Sequence, residues 1–316
     1  MHRTRTRLSK RLGRGSLHAR RLEDRGVRLT YKLHDELLSN PSSRRRFARD
    51  APQLDDLQQR IVAQLDSDGC ALTTFSELFP DGSVWHDIEA FAQRFVTETA
   101  EGLARDSAGG TTDVRRHGGK EFVVRRYAYG VTIGDEDPWF RVALSRRMLD
   151  IANAYLRLWS KLEYVDYWYS VPDPDAKRTA SQLWHRDHDD QHLLKAFLYL
   201  VDVGEDSGPF EFLPGSARVG RYADLCPWHP QLWDRPPQDE IERVAVAEAR
   251  TFTAPKGTVI FCNTSGLHRG GYATGRPRVL ATATYCSPAS LKSLTERNYR
   301  YTGAATLDSV QRYALS

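Results

Sequence analysis

Ser181–Ser216 reads SQLWHRDHDDQHLLKAFLYLVDVGEDSGPFEFLPGS, and most of what the chain says about its fold lies in this stretch. Leu194–Val203 is a run of aliphatic and aromatic residues of strand length, closed by Gly204 and by Ser207-Gly208-Pro209. Phe210–Phe212 is a second short run, closed by Pro214-Gly215. Thr179–Trp184 reads as a further strand leading into Trp184-His185-Arg186-Asp187. Residues two apart on a strand face the same side, so His185 and Asp187 can hold one metal ion together.

A third ligand has to come from elsewhere in the chain. His268, in Asn263–Gly271 (NTSGLHRGG), is the best candidate. Two histidines and one carboxylate on one face of a metal leave about three octahedral positions open, the arrangement of non-haem Fe(II) oxygenases. Taken alone, the H-x-D tripeptide is a weak signal. His188 and Asp190 repeat its spacing immediately downstream, and His192 lies close.

The context of the tripeptide carries more. W-H-x-D (Trp184–Asp187), a Lys-bearing apolar strand (Lys195–Leu200), L-x-D-V (Leu200–Val203), the Gly208–Ser216 turn and a distal His268 occur in one order across residues 181–287. That order resembles the core of the phytanoyl-CoA dioxygenase family over about a third of the chain. The resemblance implies a double-stranded β-helix, a jelly-roll or cupin-like barrel, that holds Fe(II) and uses 2-oxoglutarate and dioxygen. It makes His185, Asp187 and His268 the metal ligands and catalytic centre, with His188 and Asp190 as loop residues. In such families an arginine about ten residues past the distal histidine pairs with the far carboxylate of 2-oxoglutarate. A planar guanidinium suits that role because it donates two parallel hydrogen bonds. Arg278 is the choice here, with Arg276, on the same strand parity, as the alternative. Two polar companions common in these families are replaced by Leu280 and Gly270. Lys195 and Gln182 complete the candidate cosubstrate contacts. Tyr127, Tyr129, Tyr167 and Trp168 are candidates for a substrate wall or for core.

The resemblance also implies oxidative decarboxylation of 2-oxoglutarate to succinate and carbon dioxide, coupled to oxidation of a small-molecule C–H bond. Bacterial secondary metabolism is the setting expected. Hydroxylation is the default outcome; desaturation, ring closure and epoxidation use the same site. Because Asp187 is present, the chloride-binding variant of this chemistry is disfavoured. A hydrolase or isomerase using another divalent ion at the same triad is the rival enzyme. A protein-modifying oxygenase or a non-catalytic barrel is the third reading.

Beyond this stretch the 316 residues are 40% hydrophobic and 27% charged, an ordinary globular balance. No run approaches the length of a membrane-spanning helix. Four scattered cysteines with no C-x-x-C argue against a disulfide scaffold or zinc knuckle. With no apolar signal segment, a cytoplasmic protein is expected. Net charge is +4, yet residues 1–22 carry eight basic groups and no acid, leaving 37 bases against 41 acids in the remainder. The expectation is a disordered basic leader before one dioxygenase domain over 23–316. Nucleic-acid binding would rest on the leader alone, and deleting it should leave a small-molecule enzyme's rate intact.

The fold class expected is α+β, a mainly β core over about 120–290 flanked by N-terminal helices. Helices are read over Gln53–Leu65, Trp85–Ala104 and Pro138–Leu158, a loop over Ser107–Gly119, and strands over Cys70–Phe75, Glu121–Ile133, Tyr164–Val171, Thr251–Thr253, Thr258–Phe261 and Val279–Tyr285. Residues 222–246, with four prolines, read as an inserted lid or binding loop.

Overall fold

The computed structural model describes residues 26, 29–107, 116–117, 120–127, 130–175, 177–217, 220–228, 236–290 and 297–316. The basic leader 1–22, Tyr129 and residues 229–235 of the insertion lie outside the described residues.

Twelve strands are described: β1 (Cys70–Thr74), β2 (Arg116–His117), β3 (Lys120–Arg125), β4 (Val131–Ile133), β5 (Lys161–Ser170), β6 (Leu194–Tyr199), β7 (Phe210–Phe212), β8 (Arg250–Phe252), β9 (Thr258–Cys262), β10 (His268–Gly270), β11 (Arg278–Cys286) and β12 (Tyr299–Tyr301). Seven of them form one antiparallel sheet in the order β1-β9-β6-β11-β5-β3-β2. A second antiparallel sheet runs β10-β7-β8, and β12 pairs β4 in parallel.

The period-two alternation of side chains gives the large sheet two different faces. Val279, Ala281, Ala283 and Tyr285 of β11, Leu194, Ala196 and Leu198 of β6, and Val259 and Phe261 of β9 share one core with Ile61, Phe95, Trp139 and Ile151 of the helices. From the opposite face Phe197, Tyr199, Ile260, Cys262 and Leu280 meet Phe210, Phe212 and Phe252 of the small sheet. Both faces of β11 are covered, so all nine of its residues are buried. That is why it reads as an unbroken apolar run.

The helix Asp56–Asp68 starts at a capping box between Asp55 and Gln58 and stops at Gly69, where φ is 82°. Further helices span Ser83–Ser107, Pro138–Ala143 and Arg146–Leu156. The single helix expected over Pro138–Leu158 is therefore two. Ser145 breaks it, because its hydroxyl accepts the Met148 N–H and caps a new helix. The strand expected over Glu121–Ile133 is also two, β3 and β4, with Gly130 at φ 75° just before β4. Thr179–Trp184 is not a strand: Ala180–Gln182 forms a 3-10 turn closed by the Gln182 side chain on the Thr179 N–H. The insertion is not all loop, since Gln238–Glu248 is helical. No described helix is long and apolar enough to cross a membrane.

Candidate active site

His185 and His268 meet as an isolated antiparallel bridge between the turn at 180–182 and β10. Each donates its backbone N–H to the other's carbonyl, at 2.9 and 3.0 Å. The Asp187 N–H donates to Thr264 O at 2.8 Å, so the segment is extended locally and the two-residue alternation holds without a formal strand. Arg186 points the other way and is buried, donating to the carbonyls of Cys226, Ser216 and Ser265 at 2.5–2.6 Å. It ties the start of the insertion to the loop before His268, a role that H-x-D spacing alone does not announce.

Candidate ligand atoms of His185, Asp187 and His268 all lie within 4.8 Å of one another. His185 Nε2 is 3.9 Å from Asp187 Oδ1, and His268 Nε2 is 3.6 Å from Asp187 Oδ2. Each histidine Nδ1 contacts a backbone carbonyl, Leu183 O at 2.8 Å and Gly266 O at 3.0 Å. A carbonyl only accepts, so each Nδ1 carries the proton and each Nε2 turns its lone pair into the cluster. Burial pushes the His268 pKa down and keeps the ring neutral. Burial would raise the Asp187 pKa, but the Lys195 ammonium beside it holds it well below the usual carboxylate range. Neutral imidazoles and an ionised carboxylate are the forms a divalent metal requires.

These groups line a cavity of about 400 Å³ between the two sheets, a volume suited to small molecules. Arg278, at the start of β11, lines it and is buried. Its Nη1 donates to Gly208 O at 2.5 Å and its Nη2 to Ser170 Oγ at 3.4 Å, while its Nε has no partner. A buried guanidinium with an unused donor, facing a cavity, is built for an anion. Gly208 sits at φ 68°, and a Cβ there would lie 2.5 Å from the Tyr272 backbone, so only glycine brings this carbonyl to the arginine. At Gly270 a Cβ would lie 3.3 Å from Arg278 Nη2, close enough that the guanidinium would have to shift slightly.

The remaining sequence candidates divide. Lys195 lines the cavity, with Nζ 2.6 Å from Asp187 Oδ2 and 3.5 Å from Asp189 Oδ2. Arg276 does not line it; it is exposed and pairs through two nitrogens with Asp206, at 2.8 and 2.9 Å. Gln182 does not line it either, because its side chain is spent on the Thr179 turn. Trp168 lines the cavity, whereas Tyr167 stacks on Phe91 in the helix-facing core and Tyr127 donates to Asp137. Glu163, Asp189 and Thr284 line it without having been singled out in the sequence. A β-bulge opposite Thr284/Tyr285 brings Glu163 to the same wall as its neighbour Tyr164, against the simple alternation.

Two loop residues do more than the sequence announces. His188 lines the cavity. Asp190 is buried, accepting from Tyr31 Oη at 3.0 Å and from the Ser287 N–H at 2.8 Å. Tyr31 also packs on Trp228, ring centroids 5.1 Å apart, and the Trp228 indole N–H donates to Asp187 O at 2.8 Å. Tyr31 near the N-terminus, the insertion and the loop that carries His185 and Asp187 thus meet at one place. Burial, with Asp35 adding to it, pushes the Asp190 carboxyl up to about 6, against an unfolded value of about 3.9. The folded state therefore holds this proton more tightly, and its stabilising contribution is full below about pH 4 and lost as pH rises through about 6. Between pH 4.5 and 7.5 the stability of Asp190→Asn relative to wild type should rise by about 2 kcal/mol. Urea unfolding at the two pH values checks this; a pH-independent difference would contradict it.

No protein-family model matches the chain, and no curated protein matches it. Solved structures do. EctD from S. alaskensis in its apo form matches with a TM-score of 0.52 at 18% identity, over 81% of this chain and 92% of that one. EctD from S. alaskensis with 2-oxoglutarate and 5-hydroxyectoine matches with 0.50 at 20% identity, over 76% and 80%. The epimerase SnoN in complex with Fe3+, α-ketoglutarate and nogalamycin RO matches with 0.48 at 18% identity, over 73% and 84%. At these identities the likeness to EctD is one of fold, a mixed helix and strand chain built on antiparallel sheets.

Proposed function

We propose that the chain is a non-haem Fe(II)/2-oxoglutarate-dependent oxygenase of the phytanoyl-CoA dioxygenase type. On this reading the two sheets are the halves of a jelly-roll core within one domain, and the substrate is a small molecule of bacterial secondary metabolism. The observation that carries the proposal is the pairing, in one cavity, of a His-Asp-His cluster with a buried arginine whose Nε is unpartnered. Binding of 2-oxoglutarate by EctD, which matches the chain at 20% identity, agrees with it. Four free cysteines suit a reducing cytoplasm.

His185 Nε2, Asp187 and His268 Nε2 would hold Fe(II), and Arg278 the far carboxylate of 2-oxoglutarate. The bound pair supplies activation of dioxygen, with 2-oxoglutarate leaving as succinate and carbon dioxide and a substrate C–H bond oxidised, by default to an alcohol. Gly208 O and Ser170 Oγ fix the plane of the guanidinium. Lys195 holds one oxygen of Asp187 and limits how that carboxylate turns. Phe197, Phe210 and Leu280 give the cavity an apolar wall that excludes water.

The protein supplied with Fe(II), 2-oxoglutarate and air should release succinate slowly even without substrate, and Zn(II) should abolish that release. Bond hydrolysis supported by Zn(II), with no 2-oxoglutarate consumed, would favour the rival hydrolase instead.

A further inference from the structure

Residues 29–39 are helical, with π-helical turns over His34–Ser39. This helix shows its polar side to the body and its apolar side to the outside. Tyr31, Asp35 and the following Asn40 are buried and held by polar bonds. Tyr31 Oη donates to Asp190 at 3.0 Å, Asn40 Nδ2 donates to Asp35, and Arg44 pairs with Asp35 at 3.6 Å. On the outer side Leu29, Leu33 and Leu37 recur every four residues and, with Leu38, are 48–77% exposed. A helix on the surface of a globular domain ordinarily shows the reverse. Four of the six large apolar side chains exposed among the described residues fall in this stretch, the others being Leu72 and Val246. An apolar row gathered in this way marks a contact surface.

Charge says what the contact is. Residues 1–49 hold 15 basic groups against four acids, whereas the rest of the chain holds 30 against 37. The leucine row therefore lies within the basic part of an otherwise acidic protein. Lys32 is exposed beside it, paired at 4.0 Å with Glu36, and the next helix, Pro41–Arg49, adds exposed Arg45 and Arg49. Two copies meeting on this face would bring two basic segments together, which repel. A nucleic acid would use the charge but not the leucines. Nor does this stretch expose an aromatic ring to stack on a base: Tyr31 is buried and Phe47 half-buried. Apolar side chains next to a cluster of bases are what an anionic lipid surface takes, the leucines entering the acyl boundary and the cations meeting the headgroups.

We infer that the face of Leu29, Leu33, Leu37 and Leu38 docks the protein on an anionic membrane surface. The attachment is peripheral, since no described helix is long and apolar enough to cross. It is independent of the chemistry in the cavity and stands whether or not the oxygenase reading does. The test uses the full-length protein, wild type and L33S/L37S, sedimented with vesicles of phosphatidylcholine alone or of equal parts phosphatidylcholine and phosphatidylglycerol. Both replaced side chains are exposed, so the thermal midpoint of the variant should stay within about 2 °C of wild type.

Wild type should bind the phosphatidylglycerol vesicles at least about tenfold more tightly than the neutral ones. Raising salt from about 0.05 M to about 0.5 M should weaken that binding at least about tenfold. L33S/L37S should lose at least about tenfold at low salt, with its basic residues intact. Equal binding to neutral vesicles would overturn the inference, and so would a variant that binds as wild type does. Wild type that ignores both vesicles would overturn it as well. In that event a dimer dispersed by L33S/L37S would give the face to a second copy, retention of duplex DNA would give the charge to nucleic acid, and a lowered midpoint in the variant would mean that residues 1–28 cover the leucines.

Discussion

Asp187→Ala is expected to abolish Fe(II)- and 2-oxoglutarate-dependent succinate release and to weaken metal binding by well over about 100-fold. Loss of a supporting group around a ligand costs about 10–100-fold, and Asp187 is the only carboxylate in the three-residue cluster. The substitution also removes the partner that Lys195 holds at 2.6 Å, leaving that ammonium Asp189 at 3.5 Å. Breaking a buried pair costs about 3–5 kcal/mol. The value here should fall near the lower end, because the cavity gives both groups some exposure. Stability and activity must therefore be read separately. The variant should still unfold cooperatively in urea, at a lower midpoint, and added Mn(II) should raise that midpoint in wild type but not in the variant. Metal-dependent succinate release by folded Asp187→Ala would sink the assignment of this carboxylate.

Arg278→Met is expected to move two readouts in opposite directions. Two charge-assisted hydrogen bonds to a carboxylate are lost, together about 3 kcal/mol, so 2-oxoglutarate should bind about 100-fold more weakly. Without 2-oxoglutarate, however, the variant should be more stable than wild type by about 1 kcal/mol. It replaces a buried cation that has one unsatisfied nitrogen with an apolar chain of similar length, at the cost of the bond to Gly208 O. Arg278→Lys keeps the charge but loses the planar fork, and should fall between the two in affinity. Thermal unfolding with and without 2-oxoglutarate, in the presence of Mn(II), measures both effects. An Arg278→Met protein that 2-oxoglutarate still stabilises as wild type would place the cosubstrate elsewhere.

The sequence was informative where chemistry and periodicity coincide. The His-x-Asp spacing and the distal His268 are brought together in the structure, and Arg278 faces the same cavity because β11 keeps strict alternation from 278 to 284. Arg276 has that same parity, yet it lies before the strand begins, where Asp206 captures it. Parity without a known strand boundary could not decide between the two. Gln182 was misplaced for a related reason. A segment that looks strand-like is pulled into a 3-10 turn by a local side-chain bond, which costs no long-range contact and leaves no periodic trace.

Glu163 reaches the cavity through a bulge, a feature set by the pairing of β5 with β11 and not by either strand alone. Trp228 and Tyr31 act across 41 and 159 residues of sequence from their partners Asp187 and Asp190, so no local pattern announces them. What the chain encodes locally is the His185-x-Asp187 pair; what surrounds it is fixed by tertiary packing.

The most direct test of the central claim is anaerobic titration of the apoprotein with Fe(II) and then with 2-oxoglutarate, watched in the visible range. The account predicts a weak charge-transfer band that needs both additions and saturates at one of each per chain. Iron that binds without ever producing the band when 2-oxoglutarate is added would contradict it, and failure to bind iron at all would contradict it more completely.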